Sequence, residues 1–296
     1  LVAAAEAARR NLALYAFDAE DFESGYYSYD SGPSAIDHLT EDIEGQYLPA
    51  CSYVSAASPG IAEAYRSKYP IPHPATVLNV FRLAERPSDF RSTDASGTLR
   101  LYWFSQTVGL GRGLEDVIAA MGKLRNCSIE LHVRGRCTPQ IKRALQLLGD
   151  SAGVSRERII THPPASPGDM IEMAGEYDVG MALERRDSEN HDLCLSNKIF
   201  TYLLAGNAVV ATRTRAQRAL MDTIGEAGFS YDPGNIDSLA TGLRRWYEDR
   251  QLLHQARRQS WEWGTRQFNW DCEKKNFLQL VHCALNKEMR GTIVGR

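Results

Sequence analysis

From Leu99 to Thr212 the chain alternates short apolar runs with longer amphipathic stretches, and that rhythm leaves few folds open. Apolar runs too short for helices are predicted as buried strands over 99–104, 128–133, 158–161, 178–183 and 208–211. Helical patterns fall between them, over 114–124, 140–148, 167–176 and from Ser196. Strands buried on both faces and joined through helices pair in parallel, because a parallel connection needs a crossover. The prediction is therefore an α/β chain with a parallel, doubly wound sheet. In such sheets ligands sit beyond the carboxyl ends of the strands. Further helices are expected from Ala216, Ile236, Leu252 and Asp271.

The last part of this region, Ser196 to Thr212, is the most informative chemically. Ser196 suits a helix N-cap, and Ile199, Phe200, Tyr202, Leu203 and Leu204 make the helix mostly apolar. Gly206 suits its end, and Ala208 to Ala211 reads as a buried strand. Backbone N–H groups at Ser196, Asn197 and Lys198 would point out of the helix start, where the dipole favours negative charge. A lysine there is opposed by that dipole unless an anion sits beside it.

Ahead of Leu99 the pattern is thinner. Strands are expected over 12–17, 52–56 and 75–79, and helices over 35–48 and from Ser58-Pro59, with proline at the first helical position. Arg82 to Gly97 lacks apolar periodicity and reads as a linker. The expected division is a first domain over 1–82, a linker over 83–98, a second domain over 99–268 and a closing helix over 269–296. At 296 residues there is room for two domains. Hydrophobic residues at 43% and charged ones at 24% are ordinary for a water-soluble chain. A net charge of −3 argues against a dedicated nucleic-acid binder. No run approaches the roughly 20 apolar residues of a membrane span. The six cysteines show no Cys-x-x-Cys spacing, which fits thiols in a reducing cytoplasm and gives no metal site.

The predicted strand ends carry the candidate chemistry. After the 99–104 strand come Gly109, Gly111, Arg112 and Gly113, at the start of a helix. The glycines allow close backbone approach, and the guanidinium can grip a phosphate with two parallel hydrogen bonds. The plain alternative is a glycine-rich turn with a solvated arginine. The 128–133 strand ends in Arg134, and the 158–161 strand in His162. The loop from Glu184 to Leu195 is long for an α/β connection and dense in charge. In the first segment Glu20 follows a predicted strand, where a carboxylate suits sugar hydroxyls, base chemistry or a helix cap.

These segments together resemble the retaining glycosyltransferases of the GT-B fold, the large group 1 or family 4 type. The Asn197-Lys198 to Ala211 stretch is similar to their nucleotide-sugar segment, and the Gly109–Gly113 loop to their diphosphate loop. The resemblance implies two Rossmann-like domains, the first lacking its opening strands. It implies transfer of a sugar from a nucleotide-diphosphate sugar with retention, and no metal cofactor. Arg112 and Lys198 would hold the leaving diphosphate, and Glu20 stands where relatives place a histidine beside the sugar. Leu195, Ser196 and Asn197 would offer backbone N–H groups to the donor. Gly109, Gly111, Arg134, His162 and Thr212 would lie around it. Relatives carry two glutamates eight positions apart, the later one binding ribose. Here those positions are Leu193 and Thr201, and a hydroxyl cannot clamp two hydroxyls as a carboxylate does. That departure keeps a non-catalytic nucleotide-sugar binder open, beside an epimerase or hydrolase using the same cleft. The acceptor, whether a glycan, a lipid-linked molecule or a small molecule, is not written in the motifs. A lipid-linked acceptor would entail peripheral membrane contact.

Overall fold

A computed structural model describes residues 1–91 and 97–294, with side chains to residue 286. The part of the expected linker over 92–96 lies outside the described residues. In chain order the helices are α1 (Val2–Asn11), α2 (Ala35–Tyr47), α3 (Pro59–Lys68), α4 (Leu114–Lys123), α5 (Pro139–Ala152) and α6 (Met170–Ala174). They continue as α7 (Glu189–Leu193), α8 (Asn197–Ala205), α9 (Arg215–Ile224), α10 (Ile236–Glu248), α11 (Arg250–Arg266) and α12 (Trp270–Val294). The strands are β1 (Phe17–Ala19), β2 (Val54–Ala56), β3 (Ala75–Thr76), β4 (Leu99–Thr107), β5 (Ile129–Arg136) and β6 (Ile159–His162). Then come β7 (Val179–Ala182), β8 (Ala208–Thr212) and β9 (Gly228–Tyr231).

The chain divides into two compact units. Unit 1 comprises Leu1–Asn79, Arg186–Leu195 and the chain from Asp271 onward; unit 2 comprises Val80–Arg185 and Ser196–Trp270. Unit 1 holds a three-stranded parallel sheet in the order β1-β2-β3. Its core gathers Phe22, Leu48, Val54, Ile61 and Tyr65, and Leu193 joins them. Tyr65 and Tyr69 both donate to the buried Glu44 carboxylate, at 2.5 and 2.7 Å, and burial together with that anion raises both phenols well above their usual range. Ser58 caps α3 by accepting from Ile61 N, and Ser34 forms a capping box with Asp37 on α2.

Unit 2 holds a six-stranded sheet in the order β6-β5-β4-β7-β8-β9, every neighbouring pair parallel. Counted within the unit, that is third, second, first, fourth, fifth, sixth: the doubly wound order, whose direction reverses between β4 and β7. Leu99, Leu101 and Trp103 of β4, Leu131 and Val133 of β5, and α4 build a fully buried core on one face. On the other face α8 lies so close to β7 that a side chain at Gly180 would enter the Tyr202 ring, 2.1 Å from a Cβ. Behind the sheet Asp178 is sealed, taking an ion pair from Arg257 at 3.3 Å and the backbone N–H of Arg100 at 2.9 Å.

Three sequence expectations change. The strand expected over 12–17 is instead β1 at Phe17–Ala19. Leu12 ends α1 in the left-handed conformation (φ 50°) and is 98% exposed, so an apolar run here follows a helix end rather than a core strand. The strand expected over 75–79 shortens to Ala75–Thr76 because pairing to β2 ends there. Edge strand β9, Gly-Phe-Ser-Tyr, was not predicted; too short for a periodic signal, it is a strand because β8 pairs with it.

Candidate active site

The reversal between β4 and β7 places two loops side by side at the carboxyl ends of those strands. After β4 the chain turns through Gly111 and Gly113, both at positive φ (73° and 79°), into α4. A Cβ on Gly113 would lie 2.7 Å from Leu183 Cβ, and one on Gly111 would lie 2.8 Å from the Arg185 guanidinium. The glycines are thus required for the loop that follows β7 to approach this closely. Gly111 N–H donates to the Glu115 carboxylate, which closes the turn. The Arg112 side chain is exposed, with Nη1 donating to Ser105 Oγ at 3.1 Å and to the Thr107 carbonyl at 3.2 Å. Gly109 has open space around its Cα.

After β7 the chain runs through Leu183 to Glu184 and Arg185, and unit 2 resumes at Ser196 with α8. Lys198 Nζ donates to Glu184 Oε1 at 2.8 Å and to Ser196 Oγ at 3.3 Å. Burial pushes the Glu184 carboxyl up, but Lys198, the Ser196 hydroxyl and the nearby Arg112 charge outweigh it and hold the group down at about 2. One carboxylate therefore ties Lys198 to the α8 start, and the Arg112 charge is near enough to help keep it ionised. Ser196 has a left-uncapped helix above it: its side chain makes no capping bond, while Asn197 is exposed at the first helical position. The arrangement offers cationic side chains and first-turn N–H groups facing the same point, which is what a diphosphate needs.

The other expected residues make contacts of their own. Thr201 is fully buried and donates to the Asn197 carbonyl of its own helix at 3.3 Å. Thr212, buried at the end of β8, donates to the Glu184 carbonyl at 2.6 Å and accepts from Gln217 Nε2 at 2.9 Å. It braces the Glu184 backbone. Arg134 is buried on β5, donating to Tyr102 Oη at 3.0 Å and to the Pro163 carbonyl at 3.1 Å. His162, the last residue of β6, borders a cavity of about 450 Å³ beside Arg136, Thr138, Lys142 and Pro163. Glu20 is exposed after β1, and it and Leu195 belong to unit 1. Glu184 is one of two acids, with Glu189, that the sequence offered from this loop, and no motif distinguished it. Arg185 escaped the sequence reading, since it is brought to Gly111 only by the adjacency of β4 and β7.

No family model and no curated protein matches the sequence. Solved structures do match. The HepE protein of Anabaena, in complex with UDP and glucose, is 14% identical, with a TM-score of 0.75 over 95% of this chain and 75% of that one. Sucrose-phosphate synthase from Thermosynechococcus elongatus is 17% identical, with a TM-score of 0.68 over 88% of this chain and 65% of that one. TarM is 11% identical, with a TM-score of 0.68 over 90% of this chain and 50% of that one. The chain thus spans half of TarM's length and three quarters of HepE's. Its doubly wound unit 2 and parallel-sheet unit 1 have the GT-B fold of these glycosyltransferases.

Proposed function

We propose that the chain is a glycosyltransferase that moves a sugar from a nucleotide-diphosphate sugar to an acceptor with retention at the anomeric carbon. The observation that carries this reading is the pairing of Lys198 with Glu184 at the α8 N-terminus, with the Arg112 charge near the same carboxylate, at the strand-order reversal of unit 2. Breaking the glycosidic bond puts negative charge on the departing diphosphate. Cations and N–H groups already aimed at that charge stabilise the transition state without reorganising. Lys198 shifts from Glu184 toward the phosphates, and Arg112 closes on them with its fork of donors. The reaction needs no metal on this account, since the side chains supply the compensating charge; turnover is expected to survive a chelator. Glu20 is the candidate group beside the sugar, with Leu195, Ser196 and Asn197 as donor-binding backbone. The likeness to HepE with UDP supports a nucleotide donor. WaaG, a further neighbour with a TM-score of 0.57, is described as involved in lipopolysaccharide biosynthesis, and TarM has been captured with α-GlcNAc-glycerol and UDP, which supports a glycan or related acceptor. The six free thiols support a reducing compartment such as the cytoplasm. Among the described residues no helix is long and apolar enough to cross a membrane.

A second reading, a nucleotide-sugar binder without turnover, is favoured by Thr201, whose hydroxyl is buried and bonded within α8 where relatives carry a ribose-binding glutamate. Thermal stabilisation against UDP, GDP, ADP and TDP tests the shared site. A rise in melting temperature that disappears in Arg112→Ala and Lys198→Ala is expected for one of the four, and no rise with any of them defeats both readings. Release of nucleoside diphosphate from the corresponding nucleotide sugar on adding acceptor then separates enzyme from binder.

A further inference from the structure

Along one face of β5 and at the end of β6 lies an arrangement that diphosphate binding does not use. His132 Nε2 lies 3.1 Å from Glu130 Oε2, and its Nδ1 lies 2.9 Å from His162 Nε2. The two imidazoles are nearly parallel, at 13°, and Tyr177 packs against His132 with ring centres 4.8 Å apart. The three side chains form a line from solvent to cavity. Glu130 is 36% exposed, His132 is 12% exposed, and His162 borders the 450 Å³ cavity.

Hydrogen counting fixes the direction of this line. An ionised carboxylate only accepts, so His132 carries its hydrogen on Nε2. Its Nδ1 is then a bare acceptor, and His162 donates to it from Nε2, whose hydrogen is shared at longer range with Tyr177 Oη at 3.5 Å. In the neutral ring this leaves Nδ1 of His162 without hydrogen. Among the described residues that nitrogen has no hydrogen-bond partner, and it is not among the sealed unpartnered atoms, so it is open to a ligand. Protonation reverses its character from acceptor to donor while both other bonds stay intact.

We propose that Glu130 and His132 are positioning residues that set His162 as a hydrogen-bond acceptor for the nucleoside part of the bound nucleotide, one that turns into a repelling donor in acid. The inference rests on the nucleotide reading above and adds the residues that select and release the nucleoside. The charges around the line favour the neutral state. Burial, then the opposing Glu130, then Arg100 on β4 and Arg134 on β5 act on His132, and the net effect is a lowered value. Burial, His132 and Arg134 lower His162. Tyr102 on β4 and Tyr177 before β7 stay protonated throughout, both raised chiefly by burial. Arg136 and Lys142 stand at the cavity rim. Glu184, held at about 2, stays ionised over the whole window and contributes no step.

The test is UDP affinity by calorimetry at about pH 7.5 and 5.5, values that bracket the ordinary histidine range, for the wild type, His162→Asn, Glu130→Ala and Glu130→Gln. The terminal phosphate of UDP titrates in this window in every variant, so the readout is the difference from His162→Asn, whose amide accepts at either pH. The wild type is expected to weaken in acid by a few-fold more than His162→Asn, less than the roughly tenfold an unshifted histidine would give between these two pH values, because burial lowers His162. At the higher pH Glu130→Ala is expected to bind roughly threefold more weakly, and Glu130→Gln, whose amide oxygen still accepts from His132, to bind like the wild type. Equal acid steps in the wild type and His162→Asn overturn the role of His162, and an unchanged Glu130→Ala overturns that of the line. If the wild type binds no nucleotide at the higher pH, the nucleotide reading falls and this inference with it. Nitrogen NMR of the free chain decides the tautomer separately: a hydrogen on His162 Nδ1 at that pH overturns the proposal even where UDP binds.

Discussion

Lys198 and Glu184 show how a single pair can be both structural and functional. The ammonium holds a half-buried carboxylate in its charged form, so stability depends on their staying together until a diphosphate competes. Glu184 is lowered from an ordinary 4.5 to about 2, so its contribution is complete above 4.5 and is lost as pH falls toward 2. His132 and His162 are lowered from 6.5 by burial, so the unfolded chain takes up their protons first. Their contribution is therefore complete above 6.5 and declines below it. Urea melts across the pH range should show a first decline below about 6.5, flattened in His132→Phe, and a second below about 4.5. Lys198→Met leaves the half-buried carboxylate without its partner and should cost about 1–3 kcal/mol at neutral pH, with the second decline abolished. A Lys198→Met variant as stable as the wild type would contradict the burial assigned to Glu184. The lysine was legible in the sequence because a cation at a helix start conflicts with the dipole. Its carboxylate partner was not, being one acid in a loop with several.

Glycines decide how closely the elements pack, and they do so for two different reasons. Gly180 in β7 has ordinary backbone angles, yet a Cβ there would sit 2.1 Å from the Tyr202 ring of α8. Gly234 has open space, yet its φ of +82° disfavours any side chain. Denaturant melts should separate the two. Gly234→Ala should cost about 1 kcal/mol, the conformational term alone. Gly180→Ala forces α8 off the sheet and should cost more than about 3 kcal/mol or prevent folding. Gly113→Ala combines positive φ with contact to Leu183 and should fall between them while weakening nucleotide binding. The glycines of the 109–113 loop stood out in the sequence as a cluster. Gly180 did not, since the ring that demands it arrives from another element, 22 residues further on.

At the level of the two units, Arg186–Leu195 belongs to unit 1 although both of its sequence neighbours belong to unit 2. Asn190 anchors it. Fully buried, Asn190 accepts from Phe22 N at 2.7 Å and donates to Asp21 Oδ1 at 2.9 Å, while Cys194 Sγ donates to Asp21 at 3.0 Å. Ser58 Oγ donates to the Leu193 carbonyl at 2.6 Å. Asn190→Ala leaves a buried backbone N–H without its acceptor, which should cost unit 1 about 1–3 kcal/mol. Calorimetry should therefore resolve two effects: Asn190→Ala lowers the transition of unit 1, and a bound nucleotide raises that of unit 2. A nucleotide that shifts only the transition lowered by Asn190→Ala would remove the donor site from unit 2.

The parallel, doubly wound core and the cationic helix start were readable in the one-dimensional pattern, because hydrophobic period and capping chemistry are local properties. The short strands β1, β3 and β9 were not, since two to four residues carry no period and become strands only when a neighbour pairs with them. The pairing of Lys198 with Glu184, the hydrogen-bonded line from Glu130 to His162 and the place of Arg186–Leu195 in unit 1 are likewise products of folding. Each depends on contacts between residues distant in the chain, and those are set by strand order and packing rather than by any spacing along the sequence.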